Sequence, residues 1–304
     1  MIADDAADAG SPPAPTDPAA LSGLATAADG ELDRLLADAP ARTAVARALV
    51  SRIDALVWSG GPVVVAIEVV PTGTGPVTAP AWFVVRADRD GLALVELDPD
   101  QAAVRLSLGV RDLVELALGR ADGAVLHLAG RLRVDGDTAV VLRLGAALRL
   151  PGADRSLIDA GSLDPDAVSA AIKGVGSAHL DAVMAGGFRA LVLDEVFRRL
   201  PEFLIAEKAQ RVRLTVAFVV EGAPASDRPD RYVVRIADGA CGVGPAPAGE
   251  ARADATLVLT GAQFLRLVLG HLNPVRAVLG GQVKVEGELM KALAFNSVMR
   301  IPGS

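Results

Sequence analysis

The sequence predicts an α+β protein in which one fold is used twice, each copy a five-stranded, mostly antiparallel sheet covered by helices on one face. The first observation behind this is an internal repeat. Val104–Pro151 and Ala255–Pro302 both read strand, helix, short helix, strand, helix. Gly119/Gly270, Gly130/Gly281, Gly136/Gly287 and Pro151/Pro302 keep one shift of 151 residues without a gap. Chance likeness between apolar runs does not hold glycines and a proline in register, so the copies should superpose under that shift. The second observation is that the strands before each repeat are joined by short turn-forming runs, which imply antiparallel pairing. The third is the helical crossover to the last strand, which allows one parallel pair.

The totals agree with two domains and narrow the function. A chain of 304 residues is long enough for about two. It is 51% hydrophobic and 3% aromatic, with mean hydropathy +0.39. No apolar run is long enough to span a bilayer, so the excess apolar surface belongs in cores, cavities or interfaces. The net charge is −7, and residues 1–30 supply Asp4, Asp5, Asp8, Asp17 and Asp29 with no Lys or Arg. The remaining body is close to neutral and has no basic face, which excludes nucleic acid as a partner. The single cysteine, Cys241, excludes an internal disulfide and fits a reducing compartment. With no basic-then-apolar leader at the N-terminus, a cytoplasmic protein is expected. The C-terminal Ile301–Ser304 carries no readable address. Only Lys173, Lys208, Lys284 and Lys291 are lysines. That bias toward Arg, with much Ala, Gly, Val and Asp, suggests a GC-rich bacterial genome.

In order along the chain, residues 1–30 are rich in Ala, Pro and Asp without periodicity and read as a disordered or loosely attached tail. Glu31–Val57 is helical by spacing, interrupted at Pro40. Pro62–Val70, Ala81–Ala87 and Leu92–Leu97 read as strands, the last two joined across Asp88–Gly91. The first repeat then completes a domain at 31–152. Residues 153–187 carry helical pattern at Pro165–Lys173 and Ala178–Met184 and read as a helical linker that packs on one or both domains. The second domain, 188–304, opens with an amphipathic helix at Phe188–Leu204, with Arg198 and Arg199 outward. Strands follow at Arg211–Val220 and Arg231–Ala237, and the turn Asp238-Gly239 matches Asp90-Gly91.

Function concentrates in the second repeat. Thr260-Gly261-Ala262-Gln263 has capping-box spacing. The helix it opens is apolar over most of its circumference, with only Gln263 and Arg266 as a narrow polar stripe. Such a helix needs two apolar partners, one the sheet and the other a second apolar surface. Three histidines, His127, His179 and His271, lie in unrelated contexts, and Cys241 has no histidine nearby, so neither metal binding nor thiol chemistry is expected. Gly242-Val243-Gly244 opens no helix and is no dinucleotide loop. No nucleophile–base–acid set, carboxylate pair or phosphate cradle is legible, and neither enzyme nor cofactor is expected.

The run Leu257–Gly287, LxLTxxxFLxLxxGxLNPxxAxxxGxVxVxG, resembles the sterol carrier protein 2 family of small lipid-binding domains. The Tyr232–Arg235 strand, the Asp238-Gly239 turn and the Ala-rich closing helix fit that family too. The likeness covers Phe188–Ser304 well and Leu32–Pro151 more weakly. It implies a sheet and helices enclosing an apolar tunnel that binds fatty acyl chains, acyl-CoA, sterols or isoprenoids, with the closing helix as a lid. Carried onto this sequence, the tunnel would be lined by Val216 and Phe218 from the first strand and by Phe264, Leu265, Val268 and Leu272 from the long helix. Val275, Val278 and Leu279 would come from the short helix, and Met290, Leu293, Phe295 and Met299 from the lid. The partner implied is an apolar lipid, bound and carried within the cell, and the fold allows transient contact with a membrane surface. The rival reading is an accessory or partner-binding protein with filled cavities, or a non-catalytic subunit serving a lipid-modifying enzyme. Copy one has Asp122-Gly123 where copy two has Asn273-Pro274, and it carries Arg143 at the position of Ala294. Copy two is therefore the expected lipid site.

Overall fold

The computed structural model describes residues 23–51, 55–56, 58, 60–72, 79–149, 156–158, 161, 163–222, 229–246, 253–300 and 302. Most of the acidic stretch 1–30 thus lies outside the described residues. The chain divides into two compact units, residues 1–121 with 147–157, and residues 122–146 with 158–304.

The first stretch holds helices α1 (Asp29–Ala37) and α2 (Ala39–Ser51), the two-residue strand β1 (Ala55–Leu56), then β2 (Val63–Val70), β3 (Ala81–Asp88), β4 (Gly91–Leu94) and β5 (Val104–Gly109). Helices α3 (Val110–Ala117) and α4 (Gly123–Leu128), strand β6 (Leu132–Gly136), helix α5 (Thr138–Ala147) and strand β7 (Leu148–Arg149) follow. The sheet order is β4-β3-β2-β5-β6, and β1 pairs β7 separately. Leu32 and Leu36 of α1 pack on Val69, Ala81 and Val110 as one buried cluster. Residues 25–29 are tied down as well: Arg111 donates to the carbonyls of Ala25 and Ala27 and to the Asp29 carboxylate.

Helices α6 (Pro165–Ile172), α7 (Ser177–Ala185), α8 (Phe188–Arg199) and α9 (Ala206–Ala209) lead into β8 (Leu214–Glu221), β9 (Asp230–Ala237), β10 (Ala240–Pro245) and β11 (Ala255–Thr260). Helix α10 (Gly261–Val268), helix α11 (Pro274–Leu279), strand β12 (Lys284–Gly287) and helix α12 (Leu289–Val298) close the chain. The second sheet runs β10-β9-β8-β11-β12, the same order as the first. The bounds of β2, β5, α3, α4 and α5 become those of β8, β11, α10, α11 and α12 on adding 151. Gly130 and Gly281 take φ of 72° and 70°, and Gly136 and Gly287 take 109° and 88°. At Gly287 a Cβ would stand 2.5 Å from the Asp254 carbonyl oxygen, so that glycine is required by the close approach of the backbone entering β11 as well as by its φ.

Two expectations need correction. The parallel pair is between the first and fourth strands, β8 with β11 and β2 with β5, whereas β12 lies antiparallel to β11. The α10–α11 connection turns the chain back instead of crossing it over the sheet. The hairpin turns are also one residue out of the assumed match. Asp238 (φ 54°) and Gly239 (φ 77°) form the two-residue loop closed by Ala237 and Ala240, but Gly91 is itself the closing residue opposite Asp88. Positive φ at both loop residues is what a type I′ hairpin requires, and Asp-Gly supplies it.

Candidate functional site: an apolar cavity in the second unit

The cavity follows from apolar faces that the sheet alone leaves uncovered. The Thr260 hydroxyl accepts from the amide of Gln263 at 3.3 Å, and the Gln263 side chain accepts from the Thr260 amide at 2.8 Å, which fixes where α10 begins. From there Leu265, Leu267 and Val268 face an open space of about 170 Å³. Phe188, Leu191, Val192 and Val196 of α8 form a second wall, and Phe218 of β8 with Leu257 of β11 forms the floor. Pro274 and Val278 of α11, then Leu289, Leu293 and Phe295 of α12 with Met299, complete the enclosure. Leu289 is 44% exposed yet belongs to the lining, so the cavity reaches solvent at the start of α12.

Among the described residues, the polar side chains on the wall are Glu195, Arg199, Asn296 and Arg300. Glu195 accepts two hydrogen bonds from Arg198, at 2.9 and 2.7 Å. Arg199 donates to Glu202 at 3.2 Å and to the Leu163 carbonyl. Arg300 lies over the Phe203 ring, 4.8 Å from its centroid. The other lining side chains are apolar, which favours an apolar occupant through release of water.

Of the residues assigned to a tunnel from the sequence, the structure brings Phe218, Leu265, Val268, Val278, Leu293, Phe295 and Met299 together on the lining. Val216 and Phe264 are fully buried in packed core and do not reach it. Leu272 also lies off the lining. Val275, Leu279 and Met290 point to solvent, at 45%, 82% and 73% exposure. Phe264 is held between Phe197, stacked at 5.2 Å, and Phe218, edge-on at 6.1 Å, and Tyr232 stacks on Phe197 at 3.9 Å. The copy-one positions matching Tyr232 and Phe264 are Phe83 and Leu113, and both line a void of only about 20 Å³ with Leu32 and Leu36. The aromatic stack thus fills in copy two what copy one leaves slightly open, and the large space of the second unit lies elsewhere.

Sequence reasoning missed one wall entirely. Leu163, Pro165 and Val168, from the stretch between the repeats, line the cavity, as does Leu128 of α4. The Ser169 hydroxyl donates to the Leu269 carbonyl at 2.9 Å, and His271 Nε2 lies 2.8 Å from the Ser169 carbonyl. Arg266 donates to the Val175 carbonyl at 2.7 Å. His271 and Arg266 therefore clasp α6 and the α6–α7 turn to the end of α10. The signal in the sequence was the apolar spacing Leu163, Val168, Ile172 on a segment read as a linker.

Behind this wall sits His127. Its ring meets Phe188 edge-on at 5.2 Å, and its Nδ1 lies 3.0 Å from the Leu132 carbonyl. Burial pushes its pKa below the ordinary histidine value, and His179 adds to that, while the hydrogen bond to Leu132 opposes it. The unfolded chain therefore takes up this proton first as pH falls. Stability from neutral His127 is fully present above about 6.5 and is lost below it. The thermal midpoint of the second unit should drop between neutral pH and about pH 5, and the drop should be smaller in His127→Gln when both proteins are followed by circular dichroism. Cys241, by contrast, is pushed up to about 11 by burial, which leaves an unreactive thiol. Among the described residues no three His, Cys, Asp or Glu side chains group as metal ligands.

Two mixed five-stranded sheets of the same strand order, each with the same run of helices, define a duplicated α+β fold, and an apolar cavity lies against the second sheet. The chain belongs to the SCP-2 sterol transfer family, whose model matches residues 42–149 and again 193–300. Among solved structures, a sterol carrier protein 2 from Yarrowia lipolytica is 24% identical over 37% of this chain and 90% of its own, with a TM-score of 0.29. A UbiJ-SCP2 ubiquinone synthesis protein is 16% identical over 36% and 90%, TM-score 0.28. A stereoselective inverting sec-alkylsulfatase from Pseudomonas sp. is 23% identical over 44% of this chain, TM-score 0.32, and the chain spans only 20% of that enzyme. No curated protein matches the chain. No helix among the described residues is long and apolar enough to cross a membrane.

Proposed function

We propose that the second unit binds the apolar part of a lipid, such as a fatty acid, acyl-CoA, sterol or isoprenoid, and releases it unchanged. The observation that carries this reading is the cavity of about 170 Å³ whose polar side chains, among the described residues, number four. An apolar cavity of about 150 Å³ stays dry and admits a benzene-sized molecule, so a ring or a short run of methylenes enters with the walls where they are. A longer chain displaces α12, whose contacts on this side are Leu289, Leu293, Phe295 and Met299. Met299 suits a moving wall because its unbranched thioether repacks readily. About twelve methylenes contribute roughly 10 kcal/mol against an association cost of about 4–15 kcal/mol, which leaves at best about 6 kcal/mol and supports weak, poorly selective binding, in the range of tens of micromolar at the favourable end. Membership of a family described as sterol transfer supports the same reading.

Val268→Arg tests it. Val268 is half-buried on the lining, one turn beyond Phe264 on α10. A lone charge there is strongly disfavoured beside a lipid chain but can reach the solvent side of an open cavity. A displaced fluorescent fatty acid should show a loss of affinity of about a hundredfold, with the melting curve nearly unchanged. Trp58 and Trp82 both belong to the first unit, so their emission should stay flat during the titration. A saturable Trp change that survives Val268→Arg would move the working site to copy one. Native mass spectrometry of protein purified from cells then identifies the retained lipid.

A further inference from the structure

One wall of the cavity lies outside both stretches that the family model matches. Those stretches are 42–149 and 193–300, and helix α6 falls between them. Leu163 before the helix, with Pro165 and Val168 on it, lines the cavity. Val168 and Ile172 are buried on the same side, whereas Asp164, Asp166 and Lys173 stand in solvent on the other. The helix also packs on α4, which brings Leu128 to this wall. An amphipathic helix with its apolar side on an open space closes that space.

This wall is fastened along its whole length. Before the helix, Arg199 at the end of α8 donates to the Leu163 carbonyl. The Asp164 side chain accepts from the Asp166 amide at 3.1 Å and Pro165 presets the first turn, so the start of α6 is fixed. In the middle, the Ser169 hydroxyl is 3% exposed and donates to the Leu269 carbonyl at 2.9 Å. The Ser169 carbonyl lies 2.8 Å from His271 Nε2. Past the helix, Arg266 donates to the Val175 carbonyl at 2.7 Å. A wall tied in this way does not retreat cheaply, because each broken bond strands a buried polar group. Helix α12 differs: it begins in solvent, with Leu289 and Met290 exposed.

We propose that α6 is the fixed boundary that sets how many methylenes the cavity takes up, with Leu163 and Val168 as the limiting side chains. Ser169 and His271 are positioning residues that hold the boundary in place. The proposal rests on the reading of the cavity as a lipid site. Affinity for an acyl chain rises about fourfold per buried methylene until the space against α6 is full, and then levels off. Width is taken up by α12, and capacity is set by α6.

The test is displacement of a fluorescent fatty acid from the full chain by saturated fatty acids of increasing length. Wild-type affinity should climb with length and reach a plateau. Val168→Ala removes two methyl groups from a wall that stays put, so the plateau should move out by about two carbons. Val168→Phe should bring it in. If Val168→Ala does not fold, Leu163→Ala, at a half-buried position, serves in its place. Leu293→Ala on α12 should leave the plateau where it is, because that wall closes into the space. Ser169→Ala with His271→Ala should let affinity go on rising past the wild-type plateau, which a merely structural role would not do. A plateau unmoved by Val168→Ala and Leu163→Ala, or moved as far by Leu293→Ala, overturns the proposal and leaves the cavity reading standing. A wild type that binds no chain of any length removes both.

Discussion

Replacing Arg189 with Ala should cost the second unit about 3 kcal/mol or more of stability, a large effect for a single polar side chain. The guanidinium is 4% exposed. Its Nε donates to Asp230 at 2.6 Å, one Nη to the carbonyls of Met184 and Glu221, both at 3.0 Å, and the other to Val220 at 2.6 Å. One side chain thereby ties the end of α7, the first turn of α8 and the end of β8 to β9. Truncation leaves these carbonyls short of a donor, each at a cost of about 1–3 kcal/mol where water does not reach. Asp230 is 42% exposed and recovers solvation, so the ion pair itself adds little. In a unit of this size the loss corresponds to a midpoint lowered on the order of 10 °C. Arg189→Lys should recover only part, because an ammonium cannot reach all four separated acceptors that the planar guanidinium serves. Urea denaturation of the three proteins checks this, and equal stability of Arg189→Ala and wild type would refute it.

Arg189 also marks the limit of what the sequence tells. The pattern of Phe188–Leu204 gives an apolar face with Arg198 and Arg199 outward, and nothing in that spacing distinguishes a solvated arginine from a buried one. Only the arrival of β8 and β9 beside α8 supplies the acceptors. The repeat was legible because Gly130/Gly281 and Gly136/Gly287 serve backbone conformations, and such needs survive where side chains drift. The fold class and the paired domains followed from that. The position of the parallel pair did not, since strand direction depends on how α10 and α11 turn the chain, which apolar periodicity does not encode.

The cavity was half legible for a related reason. On α11, Val275, Val278 and Leu279 are all apolar, and the single polar residue of this six-residue helix, Arg276, is too little contrast to say which of them faces inward. The structure turns Val278 in and leaves the other two outside. On β8 the residues Val216 and Phe218 share a face, but only the larger side chain reaches the open space. The wall from Leu163 to Val168 was missed because a stretch between two repeats invites reading as a connection. Its apolar spacing meant burial, and the burial turned out to be against the cavity.

Phe264→Ala should separate packing from lining on one helix, and it carries the largest apolar effect expected. Phe264 has no exposed surface and stands between Phe197 and Phe218, with Tyr232 beyond Phe197. Removing the ring takes away its buried area and two aromatic contacts and leaves a hole that rigid neighbours on β8 and α8 cannot close. A loss of about 3–5 kcal/mol is expected. Phe264→Leu, which installs the residue copy one carries at Leu113, should cost about 1–2 kcal/mol, since most of the volume is kept. Fatty-acid affinity measured well below the midpoint should change little in either variant, because Phe264 does not touch the open space. Val268→Arg, one turn along, should do the reverse and lower affinity about a hundredfold while leaving stability nearly intact. If Phe264→Ala instead proved stable and bound the probe more tightly, the new space would have joined the cavity. The aromatic stack would then be a removable partition between two chambers, and the ligand volume of this unit would be set by Phe264.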